Sequence, residues 1–189
     1  MKRILSVLFI FCTFIFAEEY HVDKSAKNEV KFISDAPIED FEGVTGQIDG
    51  YLYFKDGDFT KKSQLYFEVD LNSLDTGIGL RNRHMRENYL HTDKYPATYY
   101  KGKIIKSDTL AETQVKATTD GVIFIHGVEQ PLNVEAILIR DGKQINIQCQ
   151  FEVKLTDFDI EIPSIMFYKI DETMELHLNF YVQLFEKNE

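Results

Sequence analysis

Arg81, Arg83, His84 and Arg86 crowd into six residues, and His91 and Lys94 follow within the next eight. Guanidinium groups at this spacing can grip a phosphate, carboxylate or carbonyl oxygen, because each presents a rigid fork of N–H donors. A histidine beside them can add a donor that depends on pH. The cluster stands out because the chain as a whole has a formal net charge of −10. Ile78, Met85 and Tyr89 fall near helical spacing around it, so Gly77–Asn88 reads as a short helix. On both sides the sequence alternates apolar and polar residues with period two. A basic connection beside strands with one greasy face points to a barrel that holds an apolar ligand with an anionic head.

Other chemistries find little support in the residues. His84, His91 and Asp93 match no zinc-binding spacing, so no metal site is expected. No Gly-x-Ser-x-Gly elbow is present, and the scattered carboxylates show none of the pairing a glycosidase needs. The chain therefore reads as a binding protein without a cofactor rather than an enzyme. Its uniform acidity repels nucleic acid and anionic membrane surfaces.

The first residues set the compartment. Lys2 and Arg3 precede an apolar run from Ile4 to Phe16, followed by Ala17 and the acidic pair Glu18 and Glu19. That is the layout of a signal peptide over residues 1–17, and it predicts export to the periplasm. The run falls short of the ~20 residues of a membrane-spanning helix; an uncleaved anchor is the alternative. Residues 18–189 then form one domain. Only Cys149 remains in it, so no internal disulfide can form and stability rests on the core. Cys149 sits within a strict alternation and reads as a small buried hydrophobe.

That alternation is cleanest in Gln144–Leu155, where Ile145, Ile147, Cys149, Phe151, Val153 and Leu155 share a face. Met174–Leu184 repeats it with Met174, Leu176, Leu178, Phe180, Val182 and Leu184. Leu65, Phe67, Val69 and Leu71 form a third apolar face. Val44, Gly46, Ile48, Gly50, Leu52 and Phe54 form a fourth, whose glycines allow a sharp bend. Turn signals appear at Lys55-Asp-Gly57, Thr119-Asp-Gly121 and Asp141-Gly142, the last joining Val134–Arg140 to Gln144–Leu155 as a hairpin. Asp157–Ile162 reads as a strand that Pro163 ends, and Pro163–Ile170 as non-strand. Seven or eight long strands favour closure, which removes edges. The expected fold is all-β: an antiparallel eight-stranded lipocalin-like barrel with a short helix between strands.

The order of several short motifs resembles the YceI-like proteins, a family of secreted polyisoprenoid-binding domains. The resemblance spans nearly all of residues 18–189. It begins with Tyr20-His-Val-Asp23 and Val30-Lys-Phe32 and continues through Gly50, Phe54 and Ser73–Asp75 with Thr76-Gly77. Its strongest part is Arg81, His84-Met85-Arg86, Tyr89-Leu90 and Lys94-Tyr95-Pro96. Ile125-His126-Gly127-Val128 with Pro131-Leu132, and Asp157-Phe158-Asp159-Ile160, complete it. Asn82 departs from the family, which commonly has Asp there, and the first strands lack its typical Trp and His.

The resemblance implies a hollow interior that binds an isoprenoid lipid, such as an isoprenoid quinone or a polyprenyl phosphate, for transport, storage or sequestration. Arg81, His84, Arg83 and His126 are the candidates for its head group. Leu65, Phe67, Val69, Ile147, Phe151, Val153, Leu176, Leu178 and Phe180 are the candidates for its tail. Each can equally be filled core, since periodicity gives the face and not what lies beyond it. Transient membrane contact for ligand transfer and a homodimer through an unclosed strand edge are the expected associations. The competing reading is a solidly packed barrel that acts as an interaction or stress module and docks a partner protein through its basic helix.

Overall fold

Alternating faces become paired strands along most of the chain. The computed structural model describes residues 17–34, 40–165 and 168–186, so the signal-peptide expectation for residues 1–17 lies outside it except for Ala17, which pairs with Lys55. The strands are β1 (Ala17–Val22), β2 (Glu29–Ser34), β3 (Phe41–Thr45), β4 (Ile48–Lys55) and β5 (Gln64–Asp70). A short helix α1 (Gly79–His84) precedes β6 (Ala97–Ala111), β7 (Gln114–Ile125), β8 (Val128–Leu132), β9 (Glu135–Asp141) and β10 (Gln144–Lys154). A two-residue hairpin, β11 (Ser164–Ile165) with β12 (Tyr168–Lys169), leads to β13 (Thr173–Leu184). Every pairing is antiparallel.

Eight strands close the ring in the order β1-β4-β5-β6-β7-β9-β10-β13, and β13 returns to β1 through Tyr20↔Leu184 and Val22↔Val182. Three further strands raise the wall at one end. Strand β2 takes over from β1 along β13, with Met174 opposite Ser34, and β3 flanks β2. Strand β8 continues β9 along the last residues of β7. The end bounded by Met174, Ile125 and Ala97 is called the upper end below.

The two longest alternations form as read. Strand β10 pairs with β13 over eleven residues, from Gln144↔Gln183 to Lys154↔Thr173, so both apolar faces point inward. The helix also forms, and it is extended by a π-helical turn over Met85–Tyr89, closed by Leu90 N–H to the Met85 carbonyl at 2.9 Å.

Several expectations need correction. Thr119-Asp-Gly121 is not a turn but the middle of β7. Gly121 faces Gly102 across the ladder, and a methyl group on it would meet the Tyr100 ring at 2.5 Å. Glycine is there to let an aromatic ring cross a flat wall. The actual β6–β7 turn is Glu112-Thr113. The hairpin after β9 uses Gly142 and Lys143, one place later than read, with Gly142 at φ +58°. Val44–Phe54 is two strands rather than one. Thr45 and Ile48 are both buried and three residues apart, so the inward face changes parity at Gly46-Gln47 and Val44 leaves it. Asp157–Ile162 is not a strand, because Leu155–Phe158 forms a 3-10 turn ended by Asp159 at φ +54°. Pro163–Ile170 contains the β11–β12 hairpin.

Candidate functional site

The interior is two-storeyed. The lower half is packed solid by Tyr20, Leu52, Phe54, Ile104, Leu138, Ile145, Phe180 and Val182, each no more than 4 % exposed. Phe67 meets Phe180 edge to face with ring centroids 4.9 Å apart, a favoured aromatic geometry. That contact divides core from hollow. Above it lies a cavity of about 510 Å³, within the range of roughly 300–1,000 Å³ typical of small-molecule sites. Among the described residues its wall is hydrocarbon and aromatic, interrupted only by Arg81, His84, Thr98, Ser164 and three tyrosines.

One of those tyrosines shows how the wall stays non-polar. Tyr100 donates from its hydroxyl to the Leu132 carbonyl at 2.9 Å and lies 2.6 Å from Thr119 Oγ1. Burial raises its pKa, so it presents a ring and not a charge. On the opposite wall, a methyl group on Gly43 would come within 2.2 Å of the Phe32 ring; glycine gives that ring its place.

The helix at the mouth is held by side chains rather than by its own length. Six α-helical residues are too few to be stable alone, and Ile78 at the N-cap offers no capping side chain. Instead the preceding loop folds back on it. Asn82 Oδ1 accepts from Thr76 N–H at 2.8 Å and from Thr76 Oγ1 at 2.6 Å. Asn82 Nδ2 donates to Asp75 Oδ1 at 2.7 Å, which with the Gly77 N–H lowers the Asp75 pKa. The family's Asp could accept from Thr76 but could not donate to Asp75. Asn82 therefore suits this chain's own neighbour.

Arg81 completes the anchor. Its Nε donates to Thr76 Oγ1 at 2.9 Å and its Nη2 to the Thr76 carbonyl at 2.6 Å. Its guanidinium lies over the Phe41 ring at 4.6 Å, and Phe41 in turn meets Phe32 edge to face at 6.1 Å. Two of its five N–H groups are thus engaged, and the residue also lines the cavity. His84 also lines the cavity, is exposed, and has no hydrogen bond among the described residues.

The other head-group candidates lie elsewhere. Arg83 is exposed and does not line the cavity. His126 sits outside the cavity wall in the β7–β8 turn, where His126 and Gly127 both have positive φ. Its Nδ1 donates to the Phe158 carbonyl at 2.9 Å, which leaves Nε2 to accept from His91 Nδ1 at 2.8 Å. His126 holds a loop rather than facing the hollow.

Among the tail candidates, Phe67, Val69, Phe151, Val153, Leu176 and Leu178 line the cavity. Leu65, Ile147 and Phe180 belong to the packed lower half. They share strands and faces with the others and differ only in height, which period two does not encode. The sequence reading placed Leu71 on an inward face without naming it for the tail and missed Leu74, Ile160 and Ile170; all four reach the cavity from connections between strands. Apolar residues set among polar ones next to a turn were the available signal.

The architecture is a closed antiparallel barrel, packed in its lower half and hollow in its upper half, with a basic helix at the mouth. The YceI-like domain model matches residues 20–182, and the chain belongs to that family. Solved structures agree in fold. BcnA of Burkholderia cenocepacia superposes with a TM-score of 0.69 at 15% identity, covering 85% of this chain and 98% of its own. A polyisoprenoid binding domain from Saccharophagus degradans gives 0.67 at 17% identity, covering 87% and 98%. The YceI protein of Campylobacter jejuni gives 0.59 at 18% identity, covering 77% and 85%. No curated protein matches the chain.

Proposed function

We propose that the protein is an exported, periplasmic binding protein that holds an amphiphilic isoprenoid lipid and carries, stores or sequesters it. The observation that carries this reading is the hydrocarbon-walled cavity in the upper half of the barrel, open beside Arg81 and His84. Withdrawing a prenyl chain from water into such a wall stabilises the complex by roughly 25 cal/mol for each Å² of apolar surface buried. Membership of the YceI-like family, and the polyisoprenoid-binding domain among its structural neighbours, favour an isoprenoid over other lipids. Binding of this kind needs no catalytic group. The docking-module reading required a filled interior, and the hollow upper half counts against it.

Protein purified without detergent should release an isoprenoid on solvent extraction, identified by mass spectrometry, and take up an added isoprenoid quinone once emptied. An empty protein that ignores both quinones and polyprenyl phosphates would overturn the reading. Export is checked separately: the intact mass of the protein from a periplasmic extract should correspond to a chain that begins at Glu18.

A further inference from the structure

The cations around the cavity mouth differ from most of the others. Among the described residues, eleven ion pairs join Lys or His to Asp or Glu, and nine lysines take part. Arg81, Arg83, Arg86 and Lys94 take part in none of them. Arg81 is held by Thr76 and Phe41, Arg86 reaches the Asn72 carbonyl at 3.4 Å and Lys94 lies over the Tyr95 ring, so none is in a carboxylate ion pair and the connection keeps a local positive charge in an acidic protein. The same connection exposes hydrocarbon. Ile78 is 53% exposed and Leu80 55%, two of the five large hydrophobic residues left exposed among the described ones. Both also border the cavity. Helical spacing places Leu80, Arg83 and His84 on one face, of which Leu80 and His84 reach the cavity together with Met85 and Tyr89.

We infer that this rim docks the mouth of the barrel onto an anionic bilayer, with Ile78 and Leu80 entering the headgroup layer. The inference rests on the lipid-binding reading above. Apolar residues flanked by Arg and Lys are the pattern of an interfacial segment. The net negative charge of the protein does not prevent docking, because charges beyond about 8 Å are largely screened at physiological ionic strength. Docking also serves the cavity: a prenyl chain that passes from bilayer to barrel across a sealed rim never crosses water, and so avoids the penalty for exposed apolar surface.

The chain contains no tryptophan, so Leu80→Trp supplies a single fluorescent reporter at the rim. The protein should partition onto vesicles of phosphatidylcholine with phosphatidylglycerol, and far less onto phosphatidylcholine alone or at high salt. Bound Trp emission should shift to the blue and be quenched by brominated acyl chains. Each Lys or Arg near such a surface contributes roughly five-fold to partitioning. Arg83→Ala with Lys94→Ala should therefore weaken it about 25-fold, while isoprenoid uptake from vesicle-free solution stays unchanged. Absence of vesicle binding by a variant that still takes up isoprenoid would overturn the docking and leave an acidic protein surface as the rim's partner. Vesicle binding with unshifted Trp emission would overturn it too, because another face would then be the one in contact. Loss of isoprenoid uptake by the wild-type chain would strike the function proposed above, whichever way the vesicles behave.

Discussion

Ile147 and Phe151 lie on the same strand and the same inward face, four residues apart, one in the packed core opposite Phe180 and one in the cavity wall above it. Replacing each in turn with aspartate puts the same carboxylate into the two storeys of the barrel. Ile147 is 5% exposed within packed core. A charge stranded there costs several kcal/mol or is forced to neutralise, and the lost side chain removes a further ~1.5–3 kcal/mol of burial. That is comparable with the whole stability of a typical domain, about 5–15 kcal/mol. Phe151 is half-buried and borders about 510 Å³ of space. Such a volume admits on the order of ten waters or more once a charge draws them in. The carboxylate is then hydrated, and the cost is that of a half-buried ring, about 1–1.5 kcal/mol. At ~2–4 °C per kcal/mol for a chain of this size, Ile147→Asp should lose about 10–20 °C in Tm or fail to fold, and Phe151→Asp about 2–6 °C. Thermal unfolding of the emptied proteins reads this directly, and Phe151→Asp should also lose isoprenoid uptake while remaining folded. Equal losses in the two variants, or an unfolded Phe151→Asp, would refute the two-storey interior.

Arg81→Ala removes two charge-assisted hydrogen bonds to Thr76 and the cover over Phe41, so thermal unfolding should show a loss of about 2–4 kcal/mol alongside weakened lipid binding. His84→Ala should leave Tm unchanged and alter affinity alone. Asn82→Asp sets a carboxylate against Asp75: it should be less stable than wild type at neutral pH, and the gap should close as both carboxyls protonate below about pH 4 in an acid titration of Tm. Burial pushes the Cys149 thiol from near 9 up to about 12, and burial with the Glu18 hydrogen bond pushes the Tyr20 hydroxyl from 10 to about 12. Both groups hold their protons longer folded than unfolded. The stability linked to them is complete below about pH 9 and drains away between pH 9 and 12, which urea unfolding across that range will show. A thiol reagent at pH 8 should react with Cys149 more slowly than with a free thiol, because the raised pKa leaves less thiolate.

How far the sequence could be read depended on which property each residue reports. Strands β10 and β13 were legible because twelve successive side chains alternate in Gln144–Leu155 and eleven in Met174–Leu184, and a half-buried strand asks for that. The helix was legible from Ile78, Met85 and Tyr89 against a polar background. Thr119-Asp-Gly121 misled because an Asp-Gly pair signals a turn locally, whereas here Gly121 answers the Tyr100 ring on the neighbouring strand. The site divided in the same way. Phe67, Val69, Phe151, Val153, Leu176 and Leu178 could be assigned to the inward face, yet nothing in their spacing separates them from Leu65, Ile147 and Phe180. Height in a barrel is set by register between strands, and register is a property of pairs. Arg81 was visible as a cation, but its engagement with Thr76 depends on a loop that turns back at Gly77, with φ +78°.

The upper wall has a seam. Strand β9 leaves β10 after Cys149, and above that point the far edge of β8 has no ladder partner among the described residues. The gap between β8 and upper β10 is bridged by residues 155–160, tied to the β7–β8 hairpin by His126 to the Phe158 carbonyl and Gln130 to the Asp157 carbonyl, each at 2.9 Å. Two side-chain bonds are weaker than a strand ladder, so the hollow storey can widen along one line while the packed storey below stays closed. Amide protons of β8 and upper β10 that face the seam should therefore exchange with solvent sooner than those paired lower down between β10 and β13. A vessel with one elastic side is not cut to a single length of chain. It can relax around prenyl tails of different size, and its preference among them would be graded rather than sharp.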